Sequence, residues 1–141
     1  MLTLSPDDMH PREVKPWLRS NWKSLVARPS LPAVMYEHNA GPSGTGMYLL
    51  WGAGDSLLYV GLASDIAARL VSHTRAGRIP FTMVSHMLMP RIICTHVEAA
   101  HIDALRPPYN RKLELARWDG HLMMVLRIRR AWARALQRGG S

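Results

Sequence analysis

One stretch, GMYLLWGAGDSLLYVG at residues 46–61, constrains the fold more than any other part of the sequence. Two apolar, strand-like runs at residues 47–51 and 57–60 flank GAGDS, whose composition is typical of a tight turn. The pattern predicts a β-hairpin with Tyr48 on one strand and Tyr59 on the other. If the two tyrosines pair directly, they share a face and the loop has two or four residues. A loop of three or five residues would place them on opposite faces.

Helical and strand-like patterns alternate along the rest of the chain. The apolar spacing and the turn residues predict, in order, a helix within residues 12–27, a short strand at 33–38, a helix capped by Ser64, a third strand within 81–89, a helix over 95–105 and a helix over 120–138. These elements indicate an α+β fold. We expect a small central three-stranded sheet, mixed or antiparallel, that is flanked by helices and carries an extra N-terminal helix and a basic C-terminal helix.

The composition excludes several classes of protein. The chain has 141 residues, 48% of them hydrophobic, which is enough for one compact domain with a core. A single cysteine, Cys94, excludes an internal disulfide and a cysteine-based zinc finger. The longest apolar run, residues 122–126, is too short to cross a bilayer, and the start of the chain is acidic where a signal peptide would be basic. We therefore expect an intracellular protein that does not act at a membrane.

Positive charge is concentrated at the C-terminal end. Residues 1–45 and 46–110 each hold five Lys or Arg against four Asp or Glu, whereas residues 111–141 hold eight against two. On a helical wheel, one narrow sector of the last helix contains Arg127, Arg130, Arg134 and Arg138. This stripe predicts contact with an anionic partner, with the phosphate backbone of nucleic acid favoured over a membrane surface. The alternative is a solvated helix face.

Five chemical features follow one another in a fixed order between residues 46 and 110. They are Gly46-Met47-Tyr48, Tyr59-Val60-Gly61, Arg69 with His73 four residues later, Glu98, and Asn110 in the sequence PPYN. This order resembles the GIY-YIG nuclease superfamily, which is named for its two strand tripeptides. The resemblance implies a nuclease core at residues 46–110, an N-terminal extension at 1–45 that packs on it, and a basic helical extension at 111–141.

The resemblance also implies an activity, which is Mg²⁺-dependent hydrolysis of phosphodiester bonds in DNA. Glu98 would hold the single metal ion, with Mn²⁺ as a possible substitute for Mg²⁺. Arg69 would bind the phosphate oxygens through its planar, permanently charged fork. Tyr48 would act as the general base or align the attacking water. Tyr59 would bond to the attacked phosphate or share the role of Tyr48, and His73 would relay a proton or contact phosphate.

Three further residues would support this site. Gly46 and Gly61 would let the backbone approach where side chains would obstruct it, and Asn110 would tie the PPYN turn to the strands. The same residues also have structural interpretations. Tyrosines are common in strands, and Thr95-x-x-Glu98 is the pattern of a helix capping box.

One departure from the superfamily pattern leaves other functions open. Many members carry lysine directly after the second tripeptide, whereas this chain has Leu62. A cation that would face the phosphate or the phenols is therefore expected to be missing. The second hypothesis is a non-catalytic nucleic-acid-binding module that retains the nuclease scaffold. A third is an interaction protein whose basic helix docks on an acidic partner.

Overall fold

The structure of the protein, a computed structural model, describes residues 9–21, 31–32, 43–110 and 120–139, and the side chains of residues 31–32, 55 and 135–139 lie outside the described part. Its helices and strands are α1 (Val14–Asn21), β1 (Leu31–Pro32), β2 (Gly46–Gly52), β3 (Ser56–Ala63), α2 (Ile66–Ala76), β4 (Met83–Leu88), α3 (Arg91–Leu105) and α4 (His121–Gly139). The prediction of an α+β fold is confirmed. The division of the chain at residues 45 and 110 stays a prediction.

The strands form a single sheet in the order β1-β4-β2-β3, with every described pair antiparallel. The three long strands are those predicted, and the two-residue β1 adds a short edge beyond β4. The strand predicted at residues 33–38 lies outside the described residues. β2 is central and its seven residues are all buried, as expected for a strand that is covered on both faces.

Side-chain alternation along β2 divides the core into two layers. Met47, Leu49 and Trp51 point to one face, where they pack with buried residues of α1, α3 and α4. Tyr48 and Leu50 point to the other face, where they pack with α2 and with Val84 of β4. The sheet is therefore flanked by helices on both sides. We call the second side, which bears Tyr48, the phenol face.

The hairpin between β2 and β3 contains two irregularities. Gly52 pairs with Ser56, so the turn has three residues, and Gly54 at its centre has a positive φ of 69°. The register then shifts, because Trp51 pairs with Leu57 and Leu50 pairs with Tyr59. Leu58 is left as the extra residue of a β-bulge on β3. The sequence predicts neither the bulge nor the direct pairing of Gly61 with Tyr48.

The helix α2 crosses the phenol face. Its N-cap is Asp65, whose side chain accepts a hydrogen bond from the amide of Ala68, rather than the predicted Ser64. Ile66 and Leu70 are fully buried against the sheet, which contributes about 1.5–3 kcal/mol per side chain. Gly77 ends the helix in the left-handed conformation.

The helix α3 begins at Arg91, four residues before the predicted start at Thr95. The Thr95 hydroxyl donates to the carbonyl of Ile92 within the helix, so Thr95 is not an N-cap and does not form a capping box with Glu98. The helix ends at Leu105, as the two following prolines predict, and Arg106 adopts a positive φ of 47° at its C-cap.

The first and last helices complete the layer opposite the phenol face. α1 starts at Val14, with Pro16 in its first turn as predicted, and residues 22–27 of the predicted helix lie outside the described residues. α4 buries Val125, Ile128 and Trp132 as its pattern predicts. Leu122, one turn before Val125, is instead 65% exposed. No described helix combines the length and apolar character needed to span a membrane.

Candidate functional site

The two phenols lie next to each other on the phenol face. Tyr48 on β2 is fully buried and pairs with Gly61 on β3. Tyr59 on β3 is half-buried and pairs with Leu50, which lies two residues after Tyr48 on β2. Their ring centroids are 6.0 Å apart. A three-residue turn without a bulge would place Tyr59 on the opposite face, so the extra residue Leu58 is what brings the phenols together.

Gly61 provides the space that both rings occupy. A Cβ atom at this position would lie 2.5 Å from the Tyr48 hydroxyl oxygen and 2.8 Å from Cε1 of Tyr59. Gly46 has a different environment, because a Cβ there would meet the Met87 carbonyl oxygen and the Ile66 side chain. Gly61 therefore makes room for the phenols, whereas Gly46 lets β4 and α2 approach β2.

The helix α2 brings a guanidinium and an imidazole to the phenols. Arg69 and His73 are four residues apart, so they lie on one side of the helix, beside its buried stripe. His73 Nε2 is 2.8 Å from the Tyr48 hydroxyl, and the His73 ring packs edge-on against Tyr59 at a centroid distance of 5.1 Å. Arg69 lies one turn before His73 on the same side of α2, and its positive charge lowers the pKa of Tyr48.

The electrostatics of this cluster favour a neutral phenol. Burial raises the pKa of Tyr48 well above its ordinary value of about 10, the neighbouring Tyr59 raises it further, and Arg69 only partly offsets these effects. Burial also lowers the pKa of His73, and the positive charges of Arg69 and Arg78 add to this effect. A neutral imidazole whose Nε2 carries no proton can therefore accept the hydrogen bond that the Tyr48 hydroxyl donates.

Asn110 fixes the edge of the sheet beside Tyr59. Its side-chain oxygen accepts from the amide of Val60 and its side-chain nitrogen donates to the carbonyl of Val60, both at 2.9 Å. The amide of Tyr109 donates to the carbonyl of the bulge residue Leu58. The PPYN turn thus behaves like a short additional strand at the outer edge of β3, and it satisfies backbone groups that an edge strand would otherwise expose.

Glu98 occupies a different layer from the phenols. It is a half-buried residue of α3, and α3 packs against the face of the sheet that carries Met47 and Leu49. Asp103 lies five residues further on, about 140° around the helix, where its carboxylate contacts His121 of α4 at 2.6 Å. Glu98 is therefore on a different side of α3 from Asp103. The structure brings Tyr48, Tyr59, Arg69 and His73 together and places Glu98 on the neighbouring layer.

Leu62 also belongs to that second layer. It pairs with Met47 and packs against the core cluster of α3 and α4. A lysine at this position would point away from the phenols. The expectation that Leu62 removes a phenol-facing cation is therefore wrong, because alternation along β3 places position 62 on the other face, and the loss of a phosphate-facing cation stays a prediction.

His86 is a member of the phenol face that the sequence did not reveal. It lies on β4 directly opposite Tyr48, so Tyr48 is flanked by Gly61 on one side and His86 on the other. Its Nδ1 atom is buried and, within the described part of the chain, has no hydrogen-bond partner; burial lowers its pKa. Only the register between the strands could have identified it.

The C-terminal arginines lie on α4, in the layer opposite the phenol face. Arg127, Arg130 and Arg134 are exposed and border one shallow depression, while the side chain of Arg138 lies outside the described residues. Within the described ranges, no group of three or more His, Cys, Asp or Glu side chains is arranged to hold a metal ion. A metal site in this part of the chain therefore depends on fewer protein ligands.

Part of the chain is similar to a known protein. A segment of 75 residues is 36% identical to UvrABC system protein C of Anaplasma phagocytophilum, and the match covers 46% of this chain and 12% of that relative. No family model and no solved structure matches the chain. The local similarity is consistent with a GIY-YIG-like segment. The chain spans only a small part of the relative, so the similarity does not by itself assign the relative's activity to it.

Proposed function

We propose that this protein is a Mg²⁺-dependent endonuclease of GIY-YIG type that hydrolyses phosphodiester bonds in DNA. The observation that carries the proposal is the convergence of two phenols, an imidazole and a guanidinium on one face of the sheet. Phosphodiester hydrolysis needs an activated water, neutralisation of the charge that grows on the phosphate, and stabilisation of the leaving oxygen. The local similarity to a component of the UvrABC system and the basic C-terminal helix also favour this reading.

Arg69 is the group that would bind the phosphate. It is exposed on α2, so a ligand can reach it, and its positive charge is close enough to Tyr48 to lower the pKa of that phenol. A guanidinium forms two parallel hydrogen bonds with the non-bridging oxygens and keeps its charge at every physiological pH. Its position therefore defines where the scissile phosphate would sit, next to the hydroxyl groups of Tyr48 and Tyr59.

Tyr48 and His73 would activate the attacking water together. The raised pKa of Tyr48 disfavours a resting phenolate, so Tyr48 is a poor base when acting alone. The hydrogen bond to His73 provides a route for the proton. Tyr48 is fully buried in the unbound protein, so this step requires that bound DNA expose its hydroxyl. As the water oxygen bonds to phosphorus, a proton would move from water to the Tyr48 oxygen and the Tyr48 proton to His73 Nε2. The leaving oxygen would depart with the bonding electron pair and take a proton from solvent. The phenol stays neutral throughout.

Glu98 is the residue that would hold Mg²⁺. A carboxylate is the hard oxygen ligand that Mg²⁺ prefers, and one carboxylate is sufficient because the ion keeps most of its waters. Glu98 lies on α3 in the layer opposite the phenols, so its bound ion would act on the phosphate only where the DNA backbone reaches around the edge of the sheet toward α3. When bound, the ion supplies Lewis-acid stabilisation of the phosphate and of the leaving oxygen.

Cleavage of supercoiled plasmid tests the proposed function. We expect the purified protein to produce nicked or linear DNA in the presence of Mg²⁺ and none with excess EDTA, because the leaving oxygen is then not stabilised. DNA binding, measured by fluorescence anisotropy on a labelled duplex, should persist with EDTA. Cleavage that resists EDTA would contradict the metal requirement, and binding without any cleavage would support the non-catalytic alternative.

The pH dependence of the rate tests the proton relay. Because burial and neighbouring positive charges lower the pKa of His73, its imidazole stays neutral through pH 7 and becomes protonated only below its ordinary pKa of about 6.5. We therefore expect kcat to be flat near neutral pH and to fall only on the acid side of about pH 6.5. The measurement is kcat between pH 5 and 8, with substrate binding followed separately. The acid limb should be absent in His73→Gln, and its persistence there would assign the limb to another group.

A further inference from the structure

The outer face of α4 carries three exposed arginines in the layer opposite the phenol face. Arg127, Arg130 and Arg134 follow at three- and four-residue spacing, so they lie side by side, and they border a shallow depression together with Ala131. The sequence of α4 contains no aspartate or glutamate. Arg129 is not part of this face, because its Nε donates to the carbonyl of Ala104 on α3. We call these three arginines the α4 arginine face.

The α4 arginine face points away from the proposed hydrolytic site. The buried side of α4 packs in the core layer opposite the phenols, with the Trp132 and Trp51 ring centroids 5.2 Å apart. The arginines are on the solvent side of α4. A helix with its side chains is about 10–12 Å across, so the sheet and the full width of α4 separate the arginines from Tyr48. A phosphate bound beside Tyr48 cannot also touch them.

We propose that the α4 arginine face is a second nucleic-acid contact, which binds the phosphate backbone of a segment of DNA other than the one at the phenols. Arg127 and Arg134 are about 10 Å apart along the helix axis, which corresponds to about three phosphate steps of one strand. The choice of DNA as the ligand rests on the proposed function. The binding claim can be tested without cleavage.

The packing of α4 favours a phosphate backbone over a lipid surface. A helix that binds membranes inserts its apolar side among the lipids, but the apolar side of α4 is already occupied by the protein core through Val125, Ile128 and Trp132. Among the large apolar side chains of α4 up to residue 134, Leu122, Met123 and Leu126 are the exposed ones, at the start of the helix. Met123 precedes Arg127 by four residues on the same side of the helix, so the exposed apolar surface beside the arginines is confined to the first turns of α4.

The test compares two triple variants of the full chain that lose the same charge. In the first, Arg127, Arg130 and Arg134 are each changed to Gln. In the matched control, three exposed basic residues next to or on α1 are changed to Gln, namely Arg12, Lys15 and Arg19. Affinity for a labelled duplex is measured with EDTA at several salt concentrations, and kcat and KM are measured with Mg²⁺. Circular dichroism and thermal unfolding verify that both variants are folded.

We expect the α4 variant to bind DNA at least about tenfold more weakly at 0.1 M salt, and its salt slope to decrease by about 2.7, which is 0.9 for each lost phosphate contact. KM should rise while kcat stays within about twofold, because saturating DNA still fills the phenol site. The control should lose less than one unit of slope. This pattern would support the second contact.

Other results would overturn the proposal. Equal losses in both variants would show that only net charge matters. A fall in kcat that matches the rise in KM would place the arginines at the reacting phosphate. Unchanged DNA affinity, with loss of binding to vesicles that contain phosphatidylserine, would identify a lipid ligand instead. If the wild type binds DNA with the expected slope but never cleaves it, the proposed hydrolysis fails and the second contact stands.

Discussion

Glu98→Gln is expected to lower the rate of DNA cleavage by at least about 10³-fold while leaving DNA affinity nearly unchanged. The amide keeps the size of the side chain but removes the negative charge that a Mg²⁺ ligand provides. Lewis-acid stabilisation of the phosphate is worth several kcal/mol, and about 4 kcal/mol corresponds to a factor of 10³. Single-turnover cleavage of a labelled duplex measures the rate, and anisotropy with EDTA measures the affinity.

Asp103→Asn provides the matched control on the same helix. It makes the same chemical change in another half-buried carboxylate of α3, which contacts His121 at 2.6 Å. We expect this variant to be less stable to heat because a partly buried charged hydrogen bond is lost, but to cleave at the wild-type rate while it is folded. If Glu98→Gln retains more than a tenth of the wild-type rate, Glu98 does not hold an essential metal.

Gly61→Ala is expected to lower kcat by about 10²-fold or more. The added Cβ would lie 2.5 Å from the Tyr48 hydroxyl oxygen and 2.8 Å from the Tyr59 ring, so both phenols must move. A displacement of about 1 Å at a reacting centre can cost about 10²-fold in rate. Overpacking should also lower stability by about 1–3 kcal/mol. The measurements are kcat and the free energy of unfolding in urea.

A second glycine of the same hairpin separates this effect from general damage to the turn. Gly54 has a positive φ of 69° and nothing within 4 Å of a Cβ added there. Asparagine tolerates the left-handed conformation, so Gly54→Asn should keep kcat within about twofold of the wild type. Full activity in Gly61→Ala would mean that the positions of the phenols do not matter for the reaction, which would remove the main support for the proposed function.

Most of the architecture could be predicted from local patterns. The β2–β3 hairpin, β4 and the three helices α2, α3 and α4 could be predicted from apolar periodicity. Glycine and proline, for example Gly77 and Pro107, mark where these elements end. The predicted start of α3 at Thr95 is wrong, although Thr95 is a good N-cap residue in isolation. In the folded chain it lies inside a helix that begins at Arg91, after Pro90.

The geometry of the candidate site was less accessible to sequence reasoning, because it depends on register. The motif order selected Tyr48, Tyr59, Arg69 and His73, and the structure brings these four side chains together. The neighbour of Tyr48 across β4, His86, becomes visible only when the strands are paired. The raised pKa of Tyr48 likewise follows from complete burial, which no local pattern reports.

The three-residue turn and the extra residue at Leu58 act as one unit. A loop with an odd number of residues followed by one bulge residue gives the same side-chain alternation as a loop with an even number and no bulge. The face of the sheet on which Tyr59 lies depends only on whether the sum of loop and bulge residues is odd or even. A chain that lost Leu58 would therefore need one residue more, or one fewer, at the tip to keep its aromatic pair. The loop of this hairpin can therefore change length by two residues and keep both tyrosines on one face. A change of one residue in the loop requires a change of one residue at the bulge.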